Sequence, residues 1–214
     1  MPSPPSSDVA FTAAVKAVQT RRNSRPAYAR LEARGGFETE ITPDLVMFLA
    51  DIDTAYLATA NSAGQPYAQH RGGPKGFIHL IDKTTLGFAD FSGNRQYITT
   101  GNLAENDKAF LFLMDYAHRR RIKLWGHARV VEDDAALIAS LTRSGYGAHA
   151  EQAILFRVDA WDVNCPQHIP QKLDAAEVAA SLEQLRRRIR SLEVELAELR
   201  AEREHSTRPP IAKI

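Results

Sequence analysis

Residues 55–71 read AYLATANSAGQPYAQHR: two runs of strand-forming residues, Ala55 to Ala60 and Pro66 to Arg71, on either side of Asn61-Ser62-Ala63-Gly64. Asn and Gly tolerate the backbone angles of a tight reversal, so this stretch predicts a β-hairpin. Downstream of it, short apolar runs keep alternating with turn residues: Phe77 to Ile81, Thr85 to Asp90, Lys108 to Met114, Arg121 to Val131 and Ala153 to Val163, with Asp82-Lys83 as a second turn. Seven such runs without a helix between each pair form the pattern of an antiparallel sheet or small barrel rather than of alternating strand and helix. Two helical inserts, about Asn94 to Glu105 and Asp133 to Arg143, are expected over the openings of that barrel. Asp133-Asp134 at the start of the second complement the positive end of a helix dipole.

Upstream, Val9 to Arg34 reads as helical, with Phe11, Val15 and Val18 on one face and Leu31 on a second short helix stopped by Gly35-Gly36. This is expected to be a leader, residues 1–40, packed on the main domain. A further helix opens at Thr42 as N-cap with Pro43 in the first helical position, and Leu45, Phe48, Leu49 and Ile52 form its buried stripe. The main domain is expected to span residues 41–172.

Past that domain, Val178, Leu182, Leu185, Ile189, Leu192, Leu196 and Leu199 recur at steps of four and three, a heptad seam within residues 173–205. With Leu182, Ile189 and Leu196 at a, Arg188 and Glu195 fall at g, opposite Glu193 and Arg200 at e of a parallel partner. An antiparallel match of Arg188 with Glu195 is the alternative, and an amphipathic helix lying on its own barrel is a third. Residues 206–214 read as a disordered tail.

The 214 residues are 44% hydrophobic and 25% charged, with a net charge of +1. A nearly neutral chain lacks the long-range field of a nucleic-acid binder, and no DNA or RNA partner is expected. Met1 to Asp8 carry neither a basic start nor an apolar core of the kind a secretion signal needs, so a cytoplasmic protein without a membrane partner is expected. Cys165 is the sole cysteine, which excludes a disulfide framework and an all-thiolate metal site within one chain. Cys165 and His168 could suggest a metal or a thiol nucleophile, but two ligands cannot complete a zinc site; His70, His79, His118, His127, His149 and His205 show no paired ligand spacing, and no metal site is expected.

Three segments could carry chemistry. Gln69 to Gly76 (QHRGGPKG) places Arg71 and Lys75 beside Gly72 and Gly73, whose amides could hold an anion. Asp90 to Tyr97 (DFSGNRQY) ends a strand and begins a helix, with Ser92 or Asn94 as cap and Arg95 nearby, the makings of a phosphate site. Arg121 to Trp125 (RIKLW) alternates so that Arg121, Lys123 and Trp125 share one face while Ile122 and Leu124 take the other. A solvated edge strand or a cationic wall beside a cofactor would both explain that face.

The order of these segments resembles the bacterial branch of the pyridoxamine 5'-phosphate oxidase-like family of FMN-binding split barrels. The resemblance runs from about Ile41 to His168 and is carried by Tyr56 to Asn61, Gly64 to Tyr67, Gly87 to Asp90 with Asn94-Arg95, Asn102-Leu103, and Arg121 to Gly126. It implies a mainly β fold: a six- to seven-stranded antiparallel split barrel with flanking helices, to which the heptad helix is appended. It further implies that Arg71, with Gly72 beside it, and Asn94, Arg95 and Gln96 hold the FMN phosphate and ribityl chain. Phe88 and Ala89 would line the ring through their backbone. Arg121 and Lys123 would reach the flavin from a second subunit, giving a homodimer with FMN at its interface.

Gln96 stands where the oxidase has a phosphate-binding lysine, and Gly72-Gly73-Pro74 replaces an apolar strand continuation. Nothing from Trp161 onward matches the oxidase's substrate-binding C-terminal segment, so oxidation of pyridoxamine phosphate itself is not expected. The resemblance implies a flavoprotein oxidoreductase of unknown substrate, with NADH or NADPH as a possible donor and no side chain identifiable as catalytic. The alternatives are a deazaflavin- or haem-binding split barrel, with His70 or His168 as axial ligand, and a flavin-binding interaction protein without turnover.

Overall fold

In a computed structural model of the chain, residues 3–206 are described, and all seven expected strands form: β1 Thr54–Ala60, β2 Pro66–Gly72, β3 His79–Asp82, β4 Thr85–Phe91, β5 Lys108–Asp115, β6 Arg120–Val131 and β7 Ala150–Val163. Burial alternates along β1, β5 and most of β6, while β4 and the first half of β7 are buried on both faces. They make one antiparallel sheet in the order β2-β1-β5-β6-β7-β4-β3. The hairpin at Asn61–Gly64 sets the β1–β2 register, Ala60 opposite Pro66 and Thr54 opposite Gly72. The sheet is a split barrel. Because β3 pairs with β4 only as far as His79 opposite Gly87, the edge of β4 from Phe88 onward has no neighbouring strand on that side.

The inward face is apolar and dry. Leu57, Leu111, Leu113, Leu124, Ile154 and Phe156 are all fully buried there, joined by Leu45, Phe48, Leu49 and Ile52 from α3 (Pro43–Asp51) and its C-terminal boundary. Thr42 caps α3 as expected, its hydroxyl accepting from the Leu45 amide at 3.4 Å. β6 lies between β5 and β7 and is an interior strand, so edge protection does not explain its basic face. Ile122 and Leu124 point inward while Arg121, Lys123 and Trp125 are half-buried on the other side.

Three expectations about helices need correction. The leader is a 3-10 turn, Ser6–Val9, followed by the two expected helices, α1 (Ala13–Arg21) and α2 (Arg25–Glu32), but the face they bury is not the expected one. Val15 and Val18 stay exposed, and Phe11 instead packs edge-on against Tyr28 and Phe37. The first insert begins late: α4 is Ile98–Glu105, because Arg95 and Tyr97 take left-handed backbone angles (φ 59° and 52°) that no helix can contain. Neither Ser92 nor Asn94 caps it. The second insert, α5, shrinks to Ala135–Leu141, with Asp134 as its cap (2.8 Å to the Leu137 amide). Leu141 seals a small cluster with Ala89 and Ala153 on the outer face of the sheet.

The segment before α3 is tied to β7 by a bridge between Glu38 and Trp161 and by the Trp161 indole, which donates to the Glu40 carbonyl at 2.8 Å. Trp161 is buried, and Trp161→Phe would keep most of the apolar contact while orphaning that carbonyl. A loss of about 1–3 kcal/mol is expected, read from urea unfolding curves.

The described residues divide into two compact units between Pro170 and Gln171. The second contains α6, Ala175–Ser206, a single 32-residue helix. The remainder of the tail expected to be disordered, residues 207–214, lies outside the described residues. Among the described residues, no helix is long and apolar enough to cross a membrane.

Candidate functional site

Arg71, near the end of β2, and Asp90, near the end of β4, meet across the split of the barrel. Their side chains are only 10% and 12% exposed and form an ion pair, although no strand pairing joins β2 to β4. Burial draws the Arg71 guanidinium below its usual pKa, and the charge of Asp90 opposes that pull. Gln69 accepts a second hydrogen bond from Arg71 at 3.0 Å and itself takes the Thr99 hydroxyl at 2.9 Å. Gln152 on β7 donates to the other Asp90 oxygen (2.8 Å) and to Thr100 (3.0 Å). The Arg71 Nε is buried with no partner, an unusual state for a charged donor.

Gln69, Arg71, Asp90, Thr99 and Thr100 line a depression of about 50 Å3 together with Gly93, Asn94, Arg95, Tyr97 and Glu151, while Gln152 supports Asp90 from outside the lining. The turn that supplies Asn94 and Arg95 is shaped locally: Asn94 Oδ1 accepts from the Gln96 amide at 3.2 Å, and Arg95 Nε donates to the Tyr97 hydroxyl at 3.2 Å. Tyr97 then enters α4 without any capping side chain, leaving the first amides of that helix without a side-chain acceptor. The positive end of α4, two guanidinium groups and the carboxylates of Asp90 and Glu151 therefore share one small polar space, with the Arg71 charge matched by Asp90 and Glu151 near Arg95.

The structure thus brings together Arg71, Asn94 and Arg95, with Gln96 bonded to Asn94 in the same turn. Other candidates sit elsewhere. Phe88 is buried with its ring in the core against Phe77, and Ala89 faces the outer cluster under α5; what they offer toward the split is backbone. Gly72 lies outside the depression, and a Cβ there would come within 2.9 Å of the His70 ring. Two amides of the glycine loop are already taken, Gly73 donating to the Asp53 carbonyl (3.2 Å) and Gly76 to that of Ile52 (2.9 Å).

Arg121 and Lys123 line no part of the depression. Lys123 pairs with Asp162 at 2.8 Å and lies over the Trp125 ring at 5.3 Å, while Arg121 donates to the Asn164 side chain at 2.6 Å. Phe37 stacks on Trp125 at 5.3 Å with the rings 7° from parallel, so this outer face is partly covered by the leader. Cys165 is exposed; His168 has a left-handed backbone, and His70 packs edge-on against Tyr56.

Sequence reasoning missed Gln69, Asp90, Thr99, Thr100 and Gln152 as members of the site. It also missed a larger cavity of about 410 Å3 between α3, β3 and α5, lined by Leu49, Phe77, Ile78, Leu80 and Phe91 with His79 at its polar side. Burial, with the charge of Arg143, lowers the His79 pKa and so favours the neutral ring.

No curated protein matches the sequence. Solved structures that resemble it include HupZ of Group A Streptococcus (16% identity, TM-score 0.48, 62% of this chain and 99% of that one). An FMN-binding protein of Syntrophomonas wolfei matches at 10% identity with a TM-score of 0.45, over 68% and 97% of the two chains. A Clostridium acetobutylicum protein related to general stress protein 26, of the pyridoxinephosphate oxidase family, matches at 15% identity and TM-score 0.41, over 59% and 88%. The family model for pyridoxamine 5'-phosphate oxidase matches residues 41–169, more than half of the 214, and covers every strand and the whole depression; the chain belongs to the pyridoxamine 5'-phosphate oxidase family.

Proposed function

We propose that this chain is an FMN-binding flavoprotein oxidoreductase that acts as a homodimer with the flavin at the subunit interface. The observation that carries the reading is the depression at the split, where buried Arg71 with its unpartnered Nε, Arg95 and the uncapped start of α4 converge.

Its size supports a division of labour. One water needs roughly 10–15 Å3 of such space, so about 50 Å3 accepts a phosphate group but no three-ring flavin. The phosphate would therefore anchor in the depression, and the ring would lie along the open edge of β4 from Phe88 onward, facing backbone groups. Asp90 and Gln69 fix the Arg71 fork, and Asn94 holds the turn that presents Arg95. Arg121 and Lys123, outside the depression of their own subunit, would reach the ring of the partner's flavin and stabilise negative charge on it. The bound flavin would supply hydride and electron transfer, with NADH or NADPH as donor; the side chains bind, orient and tune.

The test is the absorption spectrum of protein purified without added cofactor. A flavin doublet, with FMN identified by mass after heat release, supports the reading; colourless protein that also fails to bind added FMN overturns it. Reduction on mixing with NADH or NADPH tests the oxidoreductase half. Arg95 is exposed; its side chain donates to the Tyr97 hydroxyl and lies within the field of Glu151. Arg95→Ala is accordingly expected to raise the FMN dissociation constant roughly ten-fold or more with an unchanged unfolding midpoint, checked by fluorescence titration.

A further inference from the structure

The helix α6 carries an apolar stripe: Leu182, Leu185, Ile189, Leu192, Leu196 and Leu199 are between 45% and 62% exposed. Their steps of three and four put all six on one seam. Charge along the helix is segregated into blocks. Arg186, Arg187, Arg188 and Arg190 come first; Glu193, Glu195 and Glu198 follow. Inside the helix the basic block is served thinly, since Glu183 lies 3.2–4.0 Å from Arg186, Arg187 and Arg190 at once, and Arg188 reaches Glu195 at 3.6 Å.

A second copy of the same helix supplies both missing halves. Laid parallel, it would set four arginines beside four arginines, even though Arg188 would find Glu193 and Glu195 would find Arg200. Laid antiparallel, it sets the basic block against the acidic one and opposes the two helix dipoles. We infer that α6 pairs with α6 of a second copy in the antiparallel sense. Leu182 then meets Leu199 of the other copy, Leu185 meets Leu196 and Ile189 meets Leu192, six filled layers with the twofold axis between Arg190 and Ser191. At the flanks of that same register Arg188 faces Glu195 and Arg186 faces Glu193, each pair occurring twice. One register satisfies both the apolar seam and the charge blocks. This pairing does not depend on how, or whether, the barrels associate.

Disulfide trapping in the full-length chain decides it. On a Cys165→Ser background, Leu182→Cys is placed in one chain and Leu199→Cys in another that carries a mass tag, and the two are co-expressed and mildly oxidised. The expected product on a non-reducing gel is the mixed, tagged–untagged species, with little self-linking of Leu199→Cys. A second pair, Arg188→Cys with Glu195→Cys bridged by a short bismaleimide, leaves all six apolar layers intact and is expected to give the same mixed product. Efficient self-linking of Leu199→Cys means a parallel pair and overturns the inference. Absence of any cross-link from both pairs also overturns it, since the stripe would then be covered by something other than a second α6.

Discussion

Gly126→Ala is expected to destabilise the chain by on the order of 3 kcal/mol, lowering the melting temperature by roughly 6–12 °C for a protein of this size. Between Trp125 opposite Ala160 and Gly126 opposite Val158, β6 and β7 shift register, and Asp159 has no opposite residue on β6. The bulge brings the β7 backbone so close to β6 that a Cβ on Gly126 would stand 1.9 Å from the Arg157 carbonyl oxygen and 3.0 Å from the Phe156 ring. The nearest atom is backbone in a paired strand, so no rotamer change relieves the clash. The ladder must open instead. Thermal unfolding followed by circular dichroism measures the effect, and a shift of less than about 2 °C would sink the argument, because it would mean that the bulge relaxes freely.

The same bulge shows where the sequence stops being legible. Alternation places Ile154, Phe156 and Val158 on the core side of β7, and the next core residue of that strand is Trp161, three positions on, because Asp159 is looped out. A period of two cannot announce where it will be broken; a glycine inside a strand is the only local hint. Elsewhere the local pattern sufficed. The Asn61–Gly64 turn and the Thr42-Pro43 helix start were readable because each rests on contacts within a few residues, and the strands because their apolar runs and bounding turns are local even where their partners, such as Leu113 for Ala55 or Leu155 for Gly87, are not. The start of α4 was not, since Arg95 and Tyr97 adopt left-handed angles that their residue types do not advertise.

The site was legible in the same uneven way. Arg71, Asn94 and Arg95 were accessible as cations and turn residues at strand ends, and the family resemblance pointed to them. Asp90 opens the Asp90–Tyr97 segment, but nothing in the sequence marks its carboxylate as an ion-pair partner. Its partner Arg71 is 19 positions away on a strand that shares no hydrogen-bonded ladder with its own, so no periodicity connects them. Gln152 is 62 positions from Asp90 and becomes its neighbour only once β7 is laid beside β4. Spacing likewise suggested an anion-holding loop at Gly72–Gly76, but it could not show that the carbonyls of Ile52 and Asp53 had already taken two of those amides.

Arg71→Met is expected to cost about 3–5 kcal/mol of stability, because it leaves the Asp90 carboxylate, 12% exposed, with Gln152 as its remaining side-chain donor. Methionine matches the arginine stem in bulk, so the loss isolates the charge and not a cavity. If that account is right, removing the second charge should undo most of the damage. The double variant Arg71→Met/Asp90→Asn is expected to recover the greater part of the lost stability, since a neutral amide buried beside Gln152 costs far less than an unpaired carboxylate. FMN affinity should not recover with it, because the guanidinium that would face the phosphate is still gone. Arg95→Ala is the converse: affinity falls while stability holds. Urea unfolding without added FMN and flavin titration of the folded proteins separate the two quantities for all three variants. A loss below about 1 kcal/mol in Arg71→Met would show that the pair is hydrated and weakly coupled. Restored FMN binding in the double variant would remove Arg71 from the phosphate site and leave it a purely structural clasp across the split.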